Sequence, residues 1–256
     1  MLKEERLETI QDMMTGQGIV RVSELTDKLQ VTEMTIRRDL KELEEAGMIE
    51  RIHGGAKAVE KLVESERSHY EKQEINIEEK IEIAKKIASM LHKNDTVFLG
   101  TGTTLELVFD YLEVLPLRII TNSYHTFEKF KKNSAYDLIL VGGSYRVRTG
   151  AFVGSIANQT LSKFKVKKAF IGVNAINDNE VYTSNEEEGV TQGIVLDNAK
   201  EKYIVADYSK IDKEDFYSFY NLDEVTGVVT DSKVTSDMKI NIEKYTAVLN
   251  GEGGLS

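Results

Sequence analysis

Six short apolar runs punctuate the chain between residues 96 and 230: Thr96–Leu99, Leu117–Thr121, Leu138–Val141, Lys168–Val173, Tyr203–Ala206 and Val225–Thr230. They are dense in Val, Ile, Leu and Phe, the composition of strands buried on both faces. Helical stretches lie between most of them. Alternation of this kind predicts an α/β domain built on a parallel, doubly wound sheet. Asn76-Ile77-Glu78-Glu79 has the form of a capping box. It opens a helix with Ile77, Ile81, Ala84, Ile87 and Leu91 on one face. This domain is expected over residues 76–251.

The first 57 residues follow another rule. Leu7, Ile10 and Met14 share a helix face, and Gly16 and Gly18 end that helix. Ser23 is placed to cap a short second helix carrying Leu25 and Leu29, and Thr32 to cap a third. Ile36, Leu40 and Leu43 line the third helix, which Gly47 stops. Met48-Ile49-Glu50-Arg51-Ile52 then runs into His53-Gly54-Gly55, a hairpin signal. Three short helices and a hairpin predict a winged helix-turn-helix over 1–57. Residues 58–75 are highly charged without a sustained period and read as a linker, in part helical and stiff, since no Pro or Gly interrupts it.

Composition narrows the chemistry. The chain has no cysteine, which excludes disulfides, thiol catalysis and thiolate-bound zinc. Its four histidines (His53, His69, His92, His125) show no metal-ligand spacing, so no metal or other cofactor is expected. No apolar run approaches the length of a membrane span, and the charged N-terminus has no signal-peptide core. A cytoplasmic protein without a membrane partner is expected.

On the third helix Met34, Arg38, Lys41 and Glu42 face outward, with Thr35 and Arg37 on the flanks. Thr and Arg at an N-terminal helix end suit a major-groove reader, since Arg pairs bidentately with guanine. The candidate DNA contacts are Thr32, Met34, Thr35, Arg37, Arg38, Lys41 and His53, with Arg51 and Lys57 near the hairpin. Charge alone does not support this. Residues 1–57 hold nine bases and twelve acids, and the whole chain carries a net charge of −10. An ordinary solvated helix face stays open on those grounds.

In the larger domain four polar loops follow apolar strands. They are Gly100-Thr101-Gly102-Thr103-Thr104, Thr121-Asn122-Ser123, Gly142-Gly143-Ser144-Tyr145-Arg146-Val147-Arg148, and Asp207-Tyr208-Ser209-Lys210. Glycines let backbone approach an anion, and hydroxyls and helix N-terminal amides donate to it. Open α/β sheets bind ligands at such strand ends. The candidate ligand residues are Gly100, Gly102, Thr103, Thr104, Thr121, Asn122, Gly142, Gly143, Arg146, Arg148 and Lys210. Arg146 and Arg148 would face oppositely on an extended strand. Tight βα turns and a surface lysine account for the same residues without a ligand.

The run Val31-Thr32-Glu33-Met34-Thr35-Ile36-Arg37-Arg38-Asp39-Leu40, with Ile52-His53-Gly54-Gly55-Ala56 after it, resembles the signature of the DeoR family of bacterial transcriptional repressors. The sensor loops resemble the same family through Gly102-Thr103-Thr104, Thr121-Asn122, Gly142-Gly143, Phe152-x-Gly154, Glu186-Glu187-Glu188 and Ala206-Asp207-x-Ser209-Lys210. The resemblance implies a winged helix that reads double-stranded operator DNA and a ribose-5-phosphate-isomerase-like sensor that binds a phosphorylated sugar. It also implies a homo-oligomer, a dimer at least and a tetramer by family habit. Asp39 is then expected to orient Arg37 or Arg38, or to cap nearby backbone. Family members commonly carry Asp where this chain has Gly100. Glycine there is similar to the branch that governs lactose uptake by a phosphotransferase system, which implies tagatose 6-phosphate as inducer.

A sugar-phosphate isomerase with an appended winged helix is the competing reading. Such an enzyme needs a positioned carboxylate base. The corresponding stretch here, Gly172-Val173-Asn174-Ala175-Ile176-Asn177, has none, so the chain is read as a regulator rather than an enzyme.

Overall fold

The computed structural model describes residues 3, 6, 7, 9, 10, 13, 14, 19–45, 49–52, 54–58, 67–113 and 115–251. The chain forms two compact units, residues 1–65 and 66–256. Gly16, Gly18, Gly47 and His53 lie outside the described residues.

In the first unit, β1 (Ile19–Arg21) leads into α1 (Val22–Leu29) and α2 (Glu33–Glu45), and β2 (Ile49–Ile52) pairs antiparallel with β3 (Gly55–Ala58). The sequence reading lacked β1. It pairs with β3 and completes a three-stranded sheet in the order β1-β3-β2. Gly55 permits that pairing, because a Cβ there would run into the Val20 carbonyl. Ser23 does not cap α1: it sits inside the first turn, and the Glu24 carboxylate accepts from the Arg21 N–H at 3.2 Å. Thr32 does cap α2, its Oγ1 accepting from the Thr35 N–H at 3.3 Å. Ile10, Met14, Val20, Leu25, Ile36, Leu40, Leu43 and Ile49 close one small core.

The second unit is built on a seven-stranded, fully parallel sheet, ordered β15-β14-β12-β9-β4-β5-β6. Its strands are β4 (Thr96–Leu99), β5 (Leu117–Thr121), β6 (Tyr136–Leu140), β9 (Val166–Gly172), β12 (Ala199–Val205), β14 (Gly227–Val229) and β15 (Ala247–Leu249). Alternation along the central strands divides the core between the two faces. Val97 and Leu99 pack on one side with Phe170, Tyr203 and Val205, and Phe98 packs on the other with Ala169, Ile171 and Ile204. The helices are α3 (His69–Gln73), α4 (Ile77–Met90), α5 (Thr103–Tyr111), α6 (Tyr124–Phe130), α7 (Gly154–Leu161), α8 (Glu186–Asp197) and α9 (Ser236–Glu243). Two small antiparallel sheets are additions: a hairpin of β7 (Ser144–Arg146) with β8 (Ala151–Val153), and a sheet of β10 (Ala175–Asn177), β11 (Glu180–Thr183) and β13 (Tyr217–Asn221).

The chain runs outward from β4 to β6, then returns to lay β9 beside β4 before running outward the other way. The loops after β4 and β9 therefore flank the point where strand order reverses, the usual ligand crevice of such sheets.

Two local expectations are corrected. The α4 face that is buried holds Lys80, Ile83, Ala84 and Ile87, while Ile77 is exposed. Asn76 adopts left-handed backbone (φ 52°) and makes no cap. Its amide instead donates to Asp207 Oδ1 and Ser209 Oγ, each at 3.0 Å. Residues 59–66 of the expected linker are outside the described residues, and residues 67–75 belong to the second unit, where α3 buries His69.

Candidate DNA-reading helix and effector site

α2 presents Met34, which is 80% exposed, beside exposed Arg37, Arg38 and Lys41. Thr32 is exposed and Thr35 half-buried. Asp39 lies on the inner side, 2% exposed, and orients neither Arg37 nor Arg38. Arg6 grips it with two bonds, Nε to Oδ2 at 2.5 Å and Nη2 to Oδ1 at 3.0 Å. This fork ties the N-terminal helical residues to α2. The pairing raises the Arg6 guanidinium further above its already high value, through the Asp39 hydrogen bond. Arg37 leans back on Glu33 one turn earlier, Nη2 to Oε1 at 2.5 Å. At the hairpin, Lys57 pairs with Glu50 at 3.0 Å and Arg51 with Glu44 at 3.8 Å. His53 is outside the described residues.

In the second unit the Gly100–Thr104 loop turns sharply into α5. Gly102 has φ +132°, and its carbonyl accepts from the Leu105 and Glu106 N–H groups. A Cβ there would meet nothing within 4 Å, so the loop is open on that side. Thr103 and Thr104 are buried in the first turn of α5. Gly100 packs more tightly: its N–H donates to the Phe170 carbonyl at 3.0 Å, and a Cβ would crowd that oxygen and Ile171.

The other predicted residues divide into those that hold loops and those that carry charge. Thr121 is fully buried, its Oγ1 accepting from the Ser123 N–H at 3.0 Å. Asn122 donates its amide to the Phe152 carbonyl at 2.9 Å and so pins the β7–β8 hairpin to this turn. Gly143 lies against Val153 and Ala157, whereas Gly142 faces open space. Arg146 ends β7 and donates to Glu188 at 3.3 Å, joined there by Thr149. Arg148 lies in the turn beyond, so the two arginines do not sit on one strand. Its carbonyl accepts from the His69 N–H at 2.8 Å.

Lys210 donates to the Val173 carbonyl at 2.6 Å, at the exit of β9. Burial pushes its ammonium down to about 8, against the opposing pull of Asp207. Burial alone would raise the Asp207 carboxyl. The Lys210 charge and hydrogen bonds from Ser209 and Asn76 hold it below its usual value instead.

Several residues beside the candidate site escaped the sequence reading. Lys80 is 4% exposed, and burial lowers its ammonium. Its Nζ donates to the Lys72 carbonyl. The available signal was position, because Lys80 lies on the same helix stripe as Ala84 and Ile87. Lys72 Nζ reaches Asn174 Oδ1 at 3.4 Å. His69 and His125 stack at 3.7 Å, and His69 Nε2 meets Glu106 Oε1 at 2.6 Å. Burial, with His69 alongside, lowers the His125 imidazole. The Gly172–Asn177 stretch contains no carboxylate, yet the fold brings one to it: Asp215 Oδ2 accepts from Asn174 at 3.0 Å and from Ser184 Oγ at 2.7 Å. Among the described residues, no group of acids and histidines is arranged to hold a metal, and no helix is long and apolar enough to cross a membrane.

Comparison with known proteins agrees with this division. Residues 6–62 match the DeoR-like helix-turn-helix domain, and residues 75–232 match the DeoR C terminal sensor domain. The chain is 42% identical over 98% of its length to all of a lactose phosphotransferase system repressor from Streptococcus mutans. A protein of the same name from Lactococcus lactis is 40% identical, over 98% of this chain and 100% of that one. Among solved structures, ribose 5-phosphate isomerase A from Methanocaldococcus jannaschii aligns over 54% of this chain and 56% of that one, with 20% identity and a TM-score of 0.40. With both domain types matched in order and relatives aligned end to end, the chain belongs to the DeoR family.

Proposed function

We propose that this protein is the repressor of a lactose-utilisation operon, released from its operator by a phosphorylated sugar, tagatose 6-phosphate. Residues 1–57 would form the reader and residues 76–251 the sensor. The reading is supported by end-to-end similarity to two proteins named lactose phosphotransferase system repressor. DNA contact falls to Thr32, Met34, Thr35, Arg38 and Lys41 on α2, with Arg37 and His53 beside them. Symmetric half-sites call for a dimer at least, and a tetramer suits two operators. Such a regulator works in the cytoplasm.

The observation that carries the sensor assignment is the convergence of Lys80 and Lys210 on the reversal point of the sheet, next to the open Gly102 turn. In a chain of net charge −10, this brings a buried and a half-buried ammonium together. A phosphate would be held by Lys80, Lys210 and the amides of Gly102, Thr103 and Thr104. Asn122, Gly142, Gly143 and Arg146 or Arg148 would bound the sugar end, with Gly100 and Thr121 shaping the floor.

The isomerase reading is not favoured. Asp215 Oδ1 accepts from the Phe216 N–H and Oδ2 from Asn174 and Ser184, which leaves it poorly placed as a base. Gel-shift titration of the upstream operator with tagatose 6-phosphate tests the proposal. Release by tagatose 6-phosphate but not by glucose 6-phosphate or inorganic phosphate is expected. Operator binding indifferent to all three would overturn it.

A further inference from the structure

The small sheet of β10, β11 and β13 gathers three polar residues from distant parts of the chain. Asn174 precedes β10, Ser184 follows β11, and Asp215 lies two residues before β13. The antiparallel register sets Ala175 opposite Tyr182 and Thr183 opposite Tyr217, which puts all three at one end of that sheet. That end adjoins the exit of β9, because Asn174 follows Val173, whose carbonyl takes the Lys210 ammonium at 2.6 Å. The cluster therefore neighbours one of the cations proposed to hold phosphate, at the point where the main sheet reverses its order.

The hydrogen bonds of the cluster run one way. Asn174 spends both amide hydrogens inward, on Asp215 Oδ2 at 3.0 Å and on Ser184 Oγ. Ser184 spends its hydroxyl hydrogen on the same Asp215 oxygen at 2.7 Å. Asp215 Oδ1 accepts from the Phe216 N–H at 2.7 Å. A carboxylate offers about four acceptor positions and a serine hydroxyl about two. Asp215 thus fills three and Ser184 one. What the pair has left is acceptor capacity, with no hydrogen to give. Such a surface takes O–H donors and repels a phosphate dianion.

Holding the loop in place does not account for the carboxylate. The 212–216 loop is tied to β10 by other bonds: the Lys213 N–H donates to the Ile176 carbonyl at 3.0 Å, and Asn177 donates to Glu214 at 2.8 Å. Asn174, Ser184 and Asp215 are all half-buried, so they stay open to a solute.

We propose that Asp215, with Ser184 beside it, determines the specificity of the sensor by accepting hydroxyl hydrogens of the sugar. The effector is thereby oriented, its phosphate toward Lys80 and Lys210 and its polyol toward Asp215. The proposal rests on the sugar-phosphate site proposed above. A hydroxyl bonded to a carboxylate makes a charge-assisted bond, roughly twice as strong as a neutral one. A site built to pair a hydroxyl also rejects an analogue that lacks it, because its own polar groups are then left unpaired.

The test uses full-length protein and the variants Asp215→Asn, Ser184→Ala and Lys210→Met. Tagatose 6-phosphate affinity is measured by calorimetry, and inorganic phosphate affinity by displacement of the sugar. Asp215→Asn is expected to bind tagatose 6-phosphate at least tenfold more weakly while its phosphate affinity stays within twofold of wild type. Ser184→Ala should lower the ratio of sugar to phosphate affinity at least threefold. If Lys210→Met loses both ligands while Asp215→Asn and Ser184→Ala bind the sugar like wild type, the site stands and this proposal falls. If Asp215→Asn loses sugar and phosphate in equal proportion, Asp215 only supports the structure and the proposal is overturned. If none of the three variants alters sugar binding, or phosphate fails to displace the sugar from wild type, the site reading itself is wrong.

Discussion

Lys210 gives the sensor a proton signature. Burial holds its ammonium near 8, against an ordinary lysine value of 10.5. At pH 8 about half of the protein then carries a neutral Lys210, at pH 9 about nine-tenths, and at pH 7 about a tenth. A phosphate dianion requires the ammonium form and returns the group toward its ordinary value. Binding tagatose 6-phosphate should therefore take up about half a proton at pH 8 and about 0.9 at pH 9. Affinity should fall roughly tenfold per pH unit from about 8 until the ordinary lysine value is approached. The sugar phosphate contributes little itself at pH 8 and 9, since a phosphate monoester has its second pKa near 6. The sign for stability is the reverse. Between about 8 and 10.5 the unfolded chain binds more protons than the folded one. Lys210 thus costs stability at and below pH 8, and that cost disappears as pH rises through the window. Calorimetry at pH 7, 8 and 9 in buffers of different ionisation enthalpy counts the protons. Uptake that is flat across the three pH values, or unchanged in Lys210→Met, would refute the reasoning.

Arg38→Ala and Lys41→Ala should each weaken operator binding by about 1–3 kcal/mol in a titration at fixed salt, because both face outward on α2. Asp39→Asn should destabilise the first unit by about 3 kcal/mol, since it leaves the Arg6 guanidinium buried without its partner; chemical denaturation followed by helix signal reads this. Gly55→Ala should unfold the same unit at physiological temperature, as its Cβ collides with the backbone of β1. Coupled assays with ribose 5-phosphate and tagatose 6-phosphate should show no turnover above background, since Asp215 and Asp207 are both committed to hydrogen bonds.

Local pattern carries short-range physics, and the chain was legible wherever that decides. The parallel sheet follows from β-rich runs buried on both faces. Thr32 works as a cap because a cap needs only the next turn of helix. The inner stripe of Ile36, Leu40 and Leu43 follows from helical period alone. The glycine turn at Gly102 was visible because it belongs to one strand-helix junction.

What only the tertiary structure decided are pairings between groups far apart in the chain. Asp39 chose Arg6 across 33 residues, where helix geometry offered Arg37 and Arg38. Asn76 left its capping place for Asp207, 131 residues away, because left-handed backbone there aims its amide across the unit. Asp215 reached a stretch that has no acid of its own. Most of all, the sequence placed some helix in a charged segment with no period but did not show what seats it. Glu106, His125, Arg148 and Asn174 contact α3, and these residues come together only where the strand order reverses between β4 and β9.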